Sequence, residues 1–368
     1  SPERLEAVNY LSGLIAVRLT ALEDVHWCDW LADESYRSQS ILRRFSGMKS
    51  VHRVVHLPWV MAHRVCDVRN EPRTLRNVVA KDLETELVSV IIPTRDGVEI
   101  LSRCIDGIVQ RSTYRNFEIL VVDNQSEEHA THEYLSGLQQ TGTARVLPYD
   151  RDFNFSAINN FAVERAKGDV VVLVNNDIEP ISPDWLEQML KFVERRAVGA
   201  VGAKLLYPNG TLQHAGVVLG IGGVAGHSHK YFPGNALGQM GRLQHANNVS
   251  AVTGACLMVR KSVYREVGGL DAQNLKIAFN DVDFCLKLRE VGYRNVWASN
   301  ATLYHHESLS RGAEDTPEKK ARFASEVRYM LRRWPNALDR DPYYNLNLTL
   351  EHEDFGLATP PRWDKVSQ

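Results

Sequence analysis

The chain has 368 residues, enough for one large domain with an appendage or for two of medium size. Hydrophobic residues make up 44% and charged residues 24%, the balance of an ordinary globular protein. A formal net charge of −2 supplies no basic field, which argues against DNA or RNA as a partner.

The five cysteines (Cys28, Cys66, Cys104, Cys256 and Cys285) are scattered and form no C-x-x-C pair, so no disulfide framework or zinc site is expected. They read as small buried hydrophobes in a reducing cytosol. No apolar run approaches the roughly 20 residues that span a bilayer, and no signal peptide opens the chain. It starts at Ser1 rather than Met, as expected of a piece of a longer polypeptide.

Residues 1–85 carry helical patterns from Leu5 to Leu22 and from Ser38 to Phe45, then a strand-like stretch from Val51 to Val60. From Leu87 the text changes. Leu87–Pro93 is an apolar run of the kind that forms a buried parallel strand. Ile100, Leu101, Cys104, Ile105 and Ile108 follow at helical spacing. A second strand, Phe117–Val122, ends at Asp123. Helices are expected over 127–139 and 156–167, the latter stopped by Gly168. Val170–Val174 is a third strand, ending at Asn175-Asn176-Asp177. Ser182-Pro183 reads as the cap and first residue of a helix carrying Leu186, Met189, Leu190 and Val193.

Alternating strands and helices with polar residues at the strand ends predict a doubly wound α/β sheet, with ligands beyond those ends. Residues 207–250 are rich in glycine and histidine and weakly periodic, which predicts a mobile loop region with solvent-facing histidines (His214, His227, His229 and His245); a metal site there is the lesser alternative. Thr253–Val259 is a further strand. After residue 312 a helix carrying Phe323, Val327, Met330 and Leu331 is expected to pack as a tail.

Three clusters can carry chemistry. Asn175-Asn176-Asp177 is either a plain turn or a carboxylate placed to hold a hard cation over a diphosphate. Asn280-Asp281-Val282-Asp283 precedes a helix with Phe284, Leu288 and Val291 on one face, closed by Gly292. Its acids either cap that helix or include a general base whose ionised form the helix N-terminus favours. His305 and His306 are neighbours on a strand and point to opposite faces, so at most one enters a given site.

In order and wording, these pieces resemble the family 2 glycosyltransferases of GT-A fold from about Val88 to Gly312, closest to bacterial O-antigen and polysaccharide enzymes, rhamnosyltransferases among them. The phrases are Val88-Ser-Val-Ile-Ile-Pro-Thr94, Val121-Val-Asp-Asn-Gln-Ser126, Val174-Asn-Asn-Asp177, Thr253-Gly-Ala255, Gly268-Gly-Leu-Asp271, Asn280-Asp-Val-Asp283 and the run from His305 to Gly312. Singly each is weak; seven in register are specific.

The resemblance implies an inverting transferase that moves a sugar from a nucleoside-diphosphate sugar to a hydroxyl of a growing, lipid-linked glycan, with Mn²⁺ or Mg²⁺ as cofactor. It places Pro93, Thr94 and Asp123 in the nucleotide pocket, with Asp123 on the base or ribose. Arg95, Asp96 and Asn160 stand where the family contacts nucleotide, and Asn176, Thr253 and Gly254 join the donor site. Asp177 is implied as metal ligand, completed by His305 with His306 second, and Asp281 as general base. A cytoplasmic enzyme is implied, at the inner membrane face when it meets its acceptor. The sequence departs from the pattern at Asn175, where the family's first metal-motif aspartate would stand. That change favours the alternative of a degenerate module that binds glycan or scaffolds an assembly.

The implied organisation is a GT-A domain over 86–315, a helical tail over 316–368 and a segment over 1–85. Arg43–Gly47 leading to His63 echoes Leu288–Gly292 leading to His305, so the first segment reads as the tail of a preceding transferase module or as a helical cap. A nucleotidyltransferase fits less well, because Pro93–Gly97 is a poor phosphate loop, and a dehydrogenase would want the absent G-x-G-x-x-G.

Overall fold

The structure, a computed structural model, describes residues 86–307 and 316–362. The expectations for residues 1–85, for Ser308–Gly312 and for the last residues of the tail therefore lie outside the described residues.

Four strands form the parallel half of the main sheet: β1 (Val88–Thr94), β2 (Phe117–Asp123), β3 (Arg145–Pro148) and β4 (Val170–Val174), in the order β4-β1-β2-β3. Alternate residues of a strand face opposite sides. Ile91, Leu120, Val122, Val171 and Leu173 accordingly enter one core; Val90, Ile92, Val121, Val172 and Val174 enter the other. Each fully buried Ile or Leu contributes roughly 1.5–3 kcal/mol. Pro93 is tolerated inside β1 because pairing to β4 has already ended at Ile91.

The connections cover both faces. α1 (Val98–Arg111) and α2 (His129–Gln140) pack on one core, and α3 (Phe155–Arg165) packs on the other. β5 (Ile178–Pro180) is a short strand that leads into α4 (Trp185–Val193), whose Trp185, Leu186, Met189, Leu190 and Val193 join the α1 side.

The rest of the sheet is mixed. β6 (Val198–Leu206) carries the short β7 (Leu212–His214), and β8 (Val217–Leu219) with β9 (Ala225–His227) makes a separate hairpin. β10 (Asn247–Val249) lies at the sheet's edge, and β11 (Cys256–Arg260) runs antiparallel between β4 and β6. α5 (Lys261–Glu266) and α6 (Asn280–Glu290) precede β12 (Arg294–His305), which is parallel to β6 and antiparallel to β5. α7 (Pro317–Arg333) and α8 (Pro335–Asp339) end the regular structure. The expected α/β fold with a mixed, helix-flanked sheet is what forms.

Several local expectations are corrected. α3 stops at Arg165, before Gly168; a Cβ at Gly168 would collide with the carbonyl of Leu87, and its amide donates to Ser89 Oγ at 2.9 Å. That glycine serves close approach to β1 rather than a helix end. α4 begins at Trp185, not at Pro183, because Ser182 is engaged with β12: its amide donates to Thr302 O at 3.0 Å and its Oγ accepts from Thr302 N at 3.3 Å.

The 207–250 segment holds four short strands. His214 and His229 are buried there, with His214 Nδ1 2.8 Å from His227 Nδ1, so the solvent-facing reading of these histidines fails. Burial lowers the pKa of His227 and His229 to about 4, which keeps both neutral. Val291 of the α6 pattern and Leu331 of the tail helix face solvent. The tail packs onto the domain: Met330, Trp334 and Leu338 share a core with Ile91 and Leu257. Cys104, Cys256 and Cys285 are buried and unbridged, as expected.

Candidate active site

The sequence-marked residues gather along one edge of the sheet, at the carboxyl ends of β1, β2 and β4. Thr94 and Asp123 are paired residues at the ends of β1 and β2. Asn176 Nδ2 donates to Thr94 Oγ1 at 3.2 Å, tying the turn after β4 to the end of β1. The next link runs from Asn175, whose amide donates to Ala255 O at 3.0 Å, just before β11. The last runs from the amide of Gly254 to Asp281 Oδ2, 2.8 Å away, at the start of α6. Asp123, Asp177 and Asp281 thus stand on neighbouring elements of one edge.

Asp281 is held firmly. Besides Gly254, Val282 N donates to its Oδ1 at 2.8 Å, and Thr253 adds a side-chain hydrogen bond. Burial raises its pKa, and these donors offset the rise only in part, so its proton affinity is above that of an ordinary carboxylate. The sequence expectation had the helix terminus favouring the ionised form; the net direction is the opposite, because removal of solvent is the larger effect. The helix starts after Phe279, a non-glycine residue at φ 59°, left-handed backbone next to the site.

The second acid of the motif has other work. Asp283 is buried, accepts Trp334 Nε1 at 2.8 Å, and faces Lys287 at 3.4 Å. It joins α6 to the C-terminal helices. The loop before α6 is clamped in turn by Glu326 of α7, whose carboxylate accepts from Ile277 N at 2.9 Å and Ala278 N at 3.2 Å.

Beyond β4, His305 Nε2 lies 3.1 Å from Asp177 Oδ1 and 3.3 Å from Asn175 Nδ2. Asp177 and His305 are both buried. His306 turns away, with Nε2 3.1 Å from Glu179 Oε2, while Glu179 also pairs with Arg111 at 2.7 Å. The alternation expected for the two histidines holds, and His305 is the one that meets Asp177. Gln213 of β7, which nothing in the sequence marks, places Oε1 2.7 Å from His305 Nδ1.

A carboxylate oxygen and an imidazole nitrogen facing each other at 3.1 Å suit a divalent cation that completes its shell with diphosphate or water oxygens. Among the described residues no group of three or more His, Cys, Asp or Glu side chains forms a full metal cage, so a cation here would depend on its ligand for the rest of its shell.

Three further expected residues have partners within the protein. Asp96, at φ 52°, spends its Oδ1 on Glu127 N at 2.7 Å and Glu128 N at 2.9 Å, fixing the start of α2. Arg95 pairs with the exposed Glu127 at 2.9 Å. Asn160 is engaged with the 264–270 turn: Nδ2 donates to Leu270 O at 2.8 Å, and Oδ1 accepts Tyr264 Oη at 2.6 Å and Leu270 N at 2.9 Å. Asn160 is a positioning residue for that turn.

Comparison with known proteins names the domain. Residues 89–268 match the model of glycosyl transferase family 2, so the chain carries a family 2 glycosyltransferase domain. It is also similar to part of each of two longer bacterial proteins. It is 52% identical over 280 residues to the protein y4gI of Sinorhizobium fredii, covering 76% of this chain and 31% of that one. It is 37% identical over 278 residues to the O-antigen biosynthesis protein RfbC of Myxococcus xanthus, covering 75% of this chain and 21% of that one. The chain therefore spans less than a third of the length of either relative. A structure of GalNAc-T7 with UDP, GalNAc and Mn²⁺ superposes with a TM-score of 0.51 at 13% identity, covering 72% of this chain and 59% of that one, which shows the shared fold. Asp281 and His305 lie outside the span matched by the family model but are built onto its sheet.

Proposed function

We propose that this chain is an inverting, metal-assisted glycosyltransferase that moves a sugar from a nucleoside-diphosphate sugar to a hydroxyl of a growing bacterial polysaccharide. The observation that carries the reading is Asp281: a carboxylate of raised basicity, fixed by the Gly254 amide, on the same sheet edge as the Asp177–His305 pair. A general base needs that combination of fixed position and affinity for a proton.

In this reading Pro93, Thr94, Asp123 and Asn176 receive the nucleotide, with Arg95 at the mouth, while Thr253 and Gly254 border the sugar. Asp177 and His305 would hold Mn²⁺ or Mg²⁺, which would supply positive charge for the departing diphosphate. Asp281 takes the proton of the acceptor hydroxyl as its oxygen bonds to the anomeric carbon. The bond from that carbon to the diphosphate oxygen breaks, and its electron pair leaves with the diphosphate. Attack opposite the leaving group inverts the centre. Among the described residues no helix is long and apolar enough to cross a membrane. A lipid-linked acceptor would be met at the cytoplasmic membrane face, and the length of the relatives supports a place within a larger, multi-module polypeptide.

Asp281→Asn is expected to lower turnover by about 10²–10⁴-fold while nucleotide affinity stays within a few fold. Wild-type turnover in that variant would remove Asp281 from the mechanism. Asn175 favours a second reading, a binding module without catalysis. Failure of the wild-type chain to release nucleoside diphosphate from any sugar nucleotide in the presence of Mn²⁺ would select it.

A further inference from the structure

We propose that Gln213 and Glu307 set the tautomer of His305, turning the lone pair of Nε2 toward Asp177. Their service to a cation rests on the reading of the Asp177–His305 pair given above; the tautomer itself does not.

The polarity of the chain of bonds is determined at its outer end. Gln213 Nε2 lies 3.0 Å from Glu307 Oε2. An amide nitrogen only donates and its oxygen only accepts, so the reversed amide would set a carbonyl oxygen against a carboxylate oxygen. The amide's Oε1 therefore faces His305 Nδ1, at 2.7 Å, and that nitrogen must carry the hydrogen. In a neutral imidazole the other nitrogen then bears the lone pair. Asn175 Nδ2, a donor 3.3 Å from Nε2, matches that assignment. Asp177 Oδ1, 3.1 Å from the same atom, is an acceptor too, so the contact is closed by a cation where the ring is neutral or by a second ring proton in the imidazolium, which the measurement below distinguishes.

The geometry of the fold supports the relay. Gln213 is buried on β7, a three-residue strand paired to β6, and β6 is the parallel neighbour of β12, which ends at His305. Glu307 is exposed at the outer end, hydrogen-bonded also by Tyr207 and near the charge of Lys230. Gln213 and Glu307 are thus positioning residues.

The test is ¹⁵N–¹H correlation of the histidine rings in the metal-free chain at pH 8, with the His305 signals assigned by their loss in His305→Gln. The wild type is expected to show Nδ1–H and an unprotonated Nε2. Glu307→Ala, at an exposed position where folding is not at risk, and Gln213→Leu are expected to lose that preference. Both should weaken the binding of Mn²⁺ alone, followed by electron paramagnetic resonance, by about 10–100-fold. Glu307→Gln keeps an acceptor for Gln213 and should keep the tautomer. An Nε2–H ring in the wild type, or an unchanged ring in Glu307→Ala, would overturn the proposal. The expected tautomers without any binding of Mn²⁺ to the wild type would uphold the relay and contradict the cation reading instead.

Discussion

Asp281 combines two opposing influences on one carboxyl group. Burial raises its proton affinity, while the amides of Gly254 and Val282 and the hydroxyl of Thr253 pull it down; burial prevails. A base works only when deprotonated, so a raised pKa moves the point at which activity is lost to higher pH. The acid limb of kcat/KM is therefore expected above the ordinary carboxylate range, with activity falling as pH drops through the raised value. A pH–rate profile checks this. An acid limb at or below the value of a free aspartate would show that Asp281 is not the group titrating. At this scale the sequence was only half legible. Asp281 and Asp283 stand two apart in one motif; only the family resemblance singled out Asp281, and residue type and spacing alone do not separate them. Their neighbours do: Gly254 and Thr253 for the first, Trp334 and Lys287 for the second.

Among the elements, α6 governs the candidate base and is held from outside the matched family span. Glu326 of α7 binds the two amides that lead into α6, and Phe323 of α7 lies against Phe279, the left-handed residue at its start, with ring centroids 5.6 Å apart. Glu326→Ala would leave both amides without their acceptor, a loss on the order of 2 kcal/mol. A lower urea midpoint and a fall in turnover that exceeds any loss of nucleotide affinity are expected. Unchanged stability and turnover would mean that α7 only covers the core.

Several of the longer elements were legible because their patterns exceed the noise: β1, β2 and β4 as apolar runs, α1 and α4 as helical spacings; the nine-residue β6, interrupted by Gly199 and Gly202, was missed. β7, β8, β9 and β10 have three residues each, too short for any period to register, which is why 207–250 read as loop. Gln213 sits in that stretch and was invisible for the same reason. The caps misled where a polar side chain had a distant partner, as Ser182 has in β12.

For the molecule as a whole, the mixed sheet is what brings the distant segments together. The parallel strands end at Thr94, Asp123 and Val174, the antiparallel β11 begins at the same edge just after Thr253 and Gly254, whose amide meets Asp281 at the start of α6, and β12 delivers His305 to Asp177. The central claim is that nucleotide, cation and base share this one edge. A crystal structure of the chain with Mn²⁺ and UDP, and a second with Mn²⁺ and dTDP, tests it most directly. The account predicts the diphosphate and the cation between Thr94 and the Asp177–His305 pair, the base or ribose at Asp123, and Asp281 facing the open side of the diphosphate. Nucleotide bound elsewhere, or bound there with Asp281 turned away from it, would contradict it.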